Sequence, residues 1–237
     1  MTPEGSHPRR SRLTQGMLPA GSSLGSRRFA RGVGGIVLRT SYRIRVRHGE
    51  RFPAAGPVVL VANHSSLVDG PVLFGTLPRG AVFLIKRELF HGPLGWALGK
   101  LGHLPVRRGA PDRQSLSAAL RILRSGGVIG VFPEGTRAGS VDTAQHGAAW
   151  LARSTGAWLL PVVCRGTARE AGRVPRFRPR VDVLVGRPLR LPEGGGRAGL
   201  AAATERVRDE LVGLLAELDG STTGSDEPDD DVRGNEA

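Results

Sequence analysis

Residues 58–69 read Val58-Val59-Leu60-Val61-Ala62-Asn63-His64-Ser65-Ser66-Leu67-Val68-Asp69. The first five are apolar without interruption, and a short run of that kind rich in β-branched residues predicts a strand covered on both faces, as in a largely buried sheet. The polar stretch Asn63 to Ser66 ends the strand, and Leu67 to Leu77 has the composition of a helix. Strand, tight turn and helix in immediate succession form the elementary unit of an α/β fold.

The same alternation continues on either side. Upstream, Phe29, Val33, Ile36 and Val37 fall at helical spacing with Arg31 and Arg39 nearby, which predicts a short basic amphipathic helix over Phe29 to Leu38. Tyr42, Ile44 and Val46 then alternate with Arg43, Arg45 and Arg47, the period of a half-buried strand. Downstream, strands are predicted at Ala81–Ile85, Gly127–Phe132, Trp158–Val163 and Val181–Val185. Helices are predicted at Leu94–Leu101, Asp112–Arg124 and Thr143–Ser154, and an amphipathic helix through Leu200, Val207, Leu211, Leu214, Leu215 and Leu218 closes the domain. The expected architecture is α/β, a mixed and largely buried sheet flanked by helices. Residues 1–28 and 219–237 have no apolar periodicity and read as disordered tails, basic and acidic respectively, with Met17 an alternative start.

Composition narrows the function classes. The chain has 237 residues and a net charge of +13, and a single cysteine, Cys164, excludes a disulfide framework and a zinc module. Cys164 itself, on an apolar strand, reads as a packing residue. No apolar run approaches the ~20 residues that span a bilayer, and the polar N-terminus lacks the apolar core of a secretory signal. Basic residues are almost all arginine, since Lys86 and Lys100 are the two lysines. Eight acidic groups against Arg233 gather between Glu217 and Glu236. That leaves about +20 on the rest of the chain, a field that attracts phosphate esters, nucleic acid or acidic lipid headgroups.

Two strand exits carry chemistry. His64 and Asp69 stand five residues apart, a spacing that on a regular helix turns them roughly 140° away from each other. They meet when His64 lies on the strand-to-helix turn and Asp69 in the first helical turn. An imidazole in that setting accepts a proton from an alcohol, and a buried carboxylate fixes its tautomer. Ser65 and Ser66 lack the Gly-x-Ser-x-Gly context of a hydrolase nucleophile. The second exit is Phe132-Pro133-Glu134-Gly135-Thr136-Arg137. There Gly135 permits close backbone approach, Thr136 offers a hydroxyl, and Arg137 supplies the planar fork that pairs with phosphate oxygens.

NHSSLVD at 63–69 followed by FPEGTR at 132–137 resembles the glycerophospholipid acyltransferase family. Lys86-Arg87-Glu88-Leu89, Gly102-His103-Leu104-Pro105-Val106-Arg107-Arg108 and Trp158-Leu159-Leu160-Pro161-Val162-Val163 resemble further blocks of that family. These blocks occur in the family's order between Tyr42 and Thr167, about half of the chain. Gln145-His146-Gly147 departs from the pattern, because a lysine usually precedes that glycine.

The resemblance implies acyl transfer from acyl-CoA or acyl-carrier protein to a lysophospholipid hydroxyl, most directly the 2-hydroxyl of 1-acylglycerol 3-phosphate, by a domain at 29–218. It implies that His64 is the general base, that Asp69 orients it, and that Glu134, Gly135, Thr136 and Arg137 hold the acceptor phosphate. Arg108 is a further anion contact, and Lys86 is another candidate. An activated thioester needs deprotonation of the alcohol and stabilisation of an oxyanion, so neither a cofactor nor a metal is expected beyond the co-substrate. The expected partners are the two substrates, the donor being acyl-CoA or an acyl-carrier protein, and a membrane surface. The expected location is peripheral, on the cytoplasmic face of the cell membrane, through the Phe29–Leu38 segment and the basic surface. Rival readings are acylation of another lysolipid, such as a lyso-ornithine lipid or a glycolipid, a catalytically silent lipid-binding relative, and an arginine-rich nucleic-acid binder. With 5% aromatic residues for stacking and no recognition module, specific nucleic-acid binding is not expected.

Overall fold

The computed structural model describes residues 22–107, 112–133, 141–168, 177–191 and 196–223. Helix α1 (Leu24–Ser41) leads into strand β1 (Arg43–Arg47), followed by β2 (Val58–Ala62), α2 (Asp69–Thr76), β3 (Val82–Lys86), α3 (Gly92–Lys100) and β4 (Leu104–Val106). Then come α4 (Arg113–Arg124), β5 (Val128–Val131), α5 (Val141–Thr155), β6 (Trp158–Arg165), β7 (Arg180–Val185) and α6 (Gly196–Thr223). The seven strands form one sheet in the order β1-β7-β6-β2-β5-β3-β4. All neighbours run parallel except β6 and β7, so the sheet is mixed as expected.

Period-two alternation, invisible in a run such as VVLVA, sorts that run between two cores. Val59 and Val61 point to one face with Ile129, Leu159 and Val163, where α4, α5 and α6 cover them through Ile122, Leu151 and Leu211. Val58, Leu60 and Ala62 point to the other with Phe83, Leu160 and Cys164, where α2 covers them through Val72 and Leu73 and α1 packs its Ala30 and Leu38. Both faces of β2 are thus dry, and all five of its residues are buried. Cys164 is fully buried among these side chains, and burial, with the nearby Asp69 carboxylate adding to it, pushes its thiol far up.

Two expected boundaries move. Helix α1 begins at Leu24, ahead of Phe29, because Ser23 caps it by accepting from the Ser26 N–H and because Arg27 is drawn into the fold. The Arg27 guanidinium donates to the carbonyls of Leu101, Ala81 (3.1 Å) and Gly80 (3.4 Å). Burial, with the neighbouring Arg31 cation, lowers its pKa to about 10. Arg31, one turn on, donates to the carbonyls of Phe74 and Leu77 and so occupies the end of α2, where helix carbonyls lack intrahelical partners. At the other end α6 continues past Leu218 to Thr223. Strand β4, too short to show a pattern, adds the sheet edge that the sequence reading did not include.

Candidate active site

Parallel pairing brings the carboxyl ends of β2, β5, β3 and β4 to one edge of the sheet, the usual place for a ligand site in such folds. His64 and Asp69 leave β2 at that edge. His64 stands on the turn and Asp69 is the first residue of α2, the arrangement their spacing requires. The His64 Nδ1 lies 3.3 Å from Asp69 Oδ2, at ion-pair distance though not aligned as a hydrogen bond. Nδ1 is buried while the side chain as a whole is 29% exposed, so the open part of the ring lies away from the carboxylate.

Asp69 is fully buried and saturated with donors. Its Oδ2 accepts from the backbone N–H groups of Ser65 (2.7 Å) and Ser66 (2.8 Å), and its Oδ1 accepts from the Thr167 hydroxyl. Burial by itself would raise the Asp69 pKa, but His64, Thr167, Ser66 and Ser65 together hold it below the usual carboxylate value. The carboxylate is therefore an anion at neutral pH, facing an imidazole. With its proton on Nδ1, that imidazole presents the Nε2 lone pair to whatever occupies the sheet edge.

Three neighbours complete the surroundings. Phe132, at the exit of β5, packs its ring 4.6 Å from the His64 ring. Asn63 clamps the exit of β6 by donating to the Cys164 carbonyl (2.9 Å) and accepting from the Cys164 N–H (2.7 Å). Thr167, buried like Asn63, follows Gly166 on the chain leaving β6. Neither Asn63 nor Thr167 was singled out from the sequence. A buried threonine has no sequence signal of its own, and its partner lies 98 residues away.

Further along the same edge, a cavity of about 350 Å³ is lined by Arg87, Glu88, His91 and Arg107, beyond the ends of β3 and β4. It lies not around His64 but two to three strands across, roughly 10–14 Å at the usual strand spacing. Lys86, the candidate anion contact at the end of β3, is half-exposed and 3.7 Å from the Glu88 carboxylate. Glu134, Gly135, Thr136, Arg137 and Arg108 lie outside the described residues, as do residues 138–140 ahead of α5. Among the described residues no cluster of three or more His, Cys, Asp or Glu is placed to hold a metal ion. No helix there is long and apolar enough to cross a membrane.

Comparison with known proteins reaches the same place. A 1-acyl-sn-glycerol-3-phosphate acyltransferase of Bacillus subtilis (strain 168) is 28% identical over 189 residues, covering 78% of this chain and 94% of that protein. The human 1-acyl-sn-glycerol-3-phosphate acyltransferase alpha is 30% identical over 192 residues, covering 77% of this chain and 66% of that protein. Among solved structures, the 1-acyl-sn-glycerophosphate (LPA) acyltransferase PlsC from Thermotoga maritima superimposes with a TM-score of 0.62 at 26% identity, over 81% of this chain and 79% of that one. The mixed sheet and its flanking helices are thus shared with that enzyme. A family model described as Acyltransferase matches residues 43–165, the stretch that carries every block of the resemblance. With half of its length inside that match, the chain belongs to the acyltransferase family.

Proposed function

We propose that this acyltransferase moves a fatty acyl group from a thioester to the 2-hydroxyl of 1-acylglycerol 3-phosphate, with His64 as general base. The observation that carries the reading is the buried Asp69 carboxylate 3.3 Å from His64 Nδ1 at the mouth of the sheet. In the reaction Nε2 takes the hydroxyl proton as the oxygen attacks the thioester carbonyl. The tetrahedral oxyanion then collapses, the carbon–sulfur bond breaks, and the departing thiolate takes the proton from the imidazolium. Asp69 stabilises the transient imidazolium and holds the tautomer. The thioester is already activated, so the protein requires no cofactor of its own.

Positive charge supports a phosphorylated acceptor. Arg87 and Arg107, with Glu88 among them, line the cavity two to three strands along the same edge, and Arg108, Glu134, Gly135, Thr136 and Arg137 are assigned to the acceptor phosphate on the family pattern. The names of the relatives support 1-acylglycerol 3-phosphate in particular. A membrane source for this lipid fits α1, whose Phe29, Val33, Ile36 and Val37 are exposed beside Arg28 and Arg39. We assign that face to peripheral docking on the cytoplasmic leaflet.

The test is thiol release from acyl-CoA and from acyl-carrier protein with 1-acylglycerol 3-phosphate, in wild type, His64→Ala and Asp69→Asn. Acceptor-dependent release that both substitutions abolish in folded protein supports the whole reading, and the faster donor identifies the thioester. Release that persists in His64→Ala removes the base. Release with a phosphate-free lysolipid but not with 1-acylglycerol 3-phosphate reassigns the acceptor.

A further inference from the structure

Thr167 leaves β6 opposite the helix that begins at Asp69, and the chain is shaped to bring it there. Gly166 sits at φ +88°, and a β-carbon on it would strike the Arg180 carbonyl, so the strand ends in a turn that only glycine makes without strain. That turn sets Thr167 inward, 4% exposed, with its hydroxyl bonded to Asp69 Oδ1 and 3.3 Å from the Ser65 hydroxyl.

The two carboxylate oxygens are held by different means. Oδ2 faces His64 and accepts two backbone N–H bonds from the turn. Oδ1 is bonded to the Thr167 hydroxyl, and the Cys164 thiol lies within hydrogen-bond reach of both groups. The backbone bonds restrain the carboxylate through Oδ2 alone, which leaves small rotations about Cβ–Cγ that tilt Oδ2 within its bonds. A bond to Oδ1, on the other side of that axis, opposes the tilt and fixes the plane in which Oδ2 meets Nδ1.

We propose that Thr167 is a positioning residue for the acyl transfer: its hydroxyl locks the Asp69 carboxylate in the plane that keeps His64 oriented. This rests on the His64/Asp69 reading given above. Thr167 acts through Asp69 and touches neither substrate. Its loss therefore lowers turnover and leaves substrate binding alone. Loss of a donor also makes the carboxylate more basic, so Asp69 protonates at higher pH.

The experiment compares Thr167→Val, which keeps the shape and removes the hydroxyl, with Thr167→Ser, which keeps the hydroxyl. The expected result for Thr167→Val is a kcat lower by roughly tenfold to a hundredfold, the range of a hydrogen bond to a charged group. Its acceptor KM stays within about twofold, and the acid limb of kcat/KM moves to higher pH. Thr167→Ser returns kcat to within about threefold of wild type. If Thr167→Val does not fold, as a melting scan shows, Thr167→Ala reports the same loss without branched bulk. A valine or alanine variant with wild-type kcat and pH profile overturns the proposal. So does a serine variant as slow as the valine one, which would assign the effect to packing. His64→Ala and Asp69→Asn in the same assay separate the two levels. If they stay active, the base reading fails, whereas if they are dead beside a fully active Thr167→Val, only the positioning role fails.

Discussion

The Phe132 ring stands 4.6 Å from the His64 imidazole, tilted by 32°, and it is the middle member of a stack. Phe83 lies almost parallel to it at 5.2 Å. Phe83 in turn fills the space over Gly130, where a β-carbon would come within 2.4 Å of the ring. A bare position in β5 thus sets the place of one aromatic ring, that ring sets the next, and the second one backs the imidazole.

Gly130→Ala is expected to break this stack at its base. Phe83 has to leave, and overpacking of this kind costs about 1–3 kcal/mol. Urea denaturation reads the loss, and kcat falls with it as Phe132 shifts. An alanine variant with the wild-type urea midpoint would show that Phe83 has room to move.

Asp69→Asn is expected to lower kcat by two orders of magnitude or more, as when a carboxylate that orients a histidine is replaced by an amide. An asparagine amide also cannot accept from Ser65, Ser66 and Thr167 while keeping its own NH₂ satisfied, so the melting temperature falls too. Steady-state kinetics on folded protein together with a melting scan check both outcomes.

His103 makes the fold sensitive to acid. It is buried, accepts from the Phe83 N–H at 3.1 Å, and is held neutral: burial, with the Arg27 cation beside it, lowers its pKa from 6.5 to about 3. Below pH 6.5 the unfolded chain takes a proton that the folded chain refuses. The contribution of His103 is therefore complete above about pH 6.5 and is lost as the pH falls toward 3, on the order of 1 kcal/mol per unit. Asp69, whose folded pKa is depressed, adds a loss of its own below pH 3.8. Urea midpoints between pH 7.5 and about 4.5 are expected to fall in wild type and to fall less steeply in His103→Gln.

Helix α1 separates two roles by face. Phe29→Ser with Ile36→Ser, at side chains 72% and 65% exposed, is expected to weaken binding to anionic vesicles by roughly tenfold or more and to leave the melting temperature unchanged. Arg31→Ala is expected to do the reverse to stability, because the Phe74 and Leu77 carbonyls lose their donor. Vesicle cosedimentation and melting scans on the same preparations compare the two.

The elements legible in the sequence were those whose signal is local. VVLVA at 58–62 announces a buried strand by itself, and the turn between β2 and α2 follows from the need to bring His64 to Asp69. What escaped was decided at long range. Arg27 reads as tail, because the carbonyls that hold it lie 53 to 74 residues away and carbonyls have no sequence signature. Thr167 is one threonine after a strand until the sheet order sets β6 beside β2. His103 belongs to a recognisable block, yet its burial and its neutral state depend on Arg27, Phe74 and Phe83 closing around it.

Helix α1 is fastened to the body by two guanidinium groups on main-chain oxygens, and its greasy residues on the outer side carry little of that attachment. If that face docks on a membrane as proposed above, Phe29, Val33, Ile36 and Val37 are free to change with a more fluid, more rigid or more acidic leaflet, with no compensating change in the interior. For the bench the same separation means that the outer face can be made hydrophilic to give an enzyme handled in plain buffer, its reaction centre built as before.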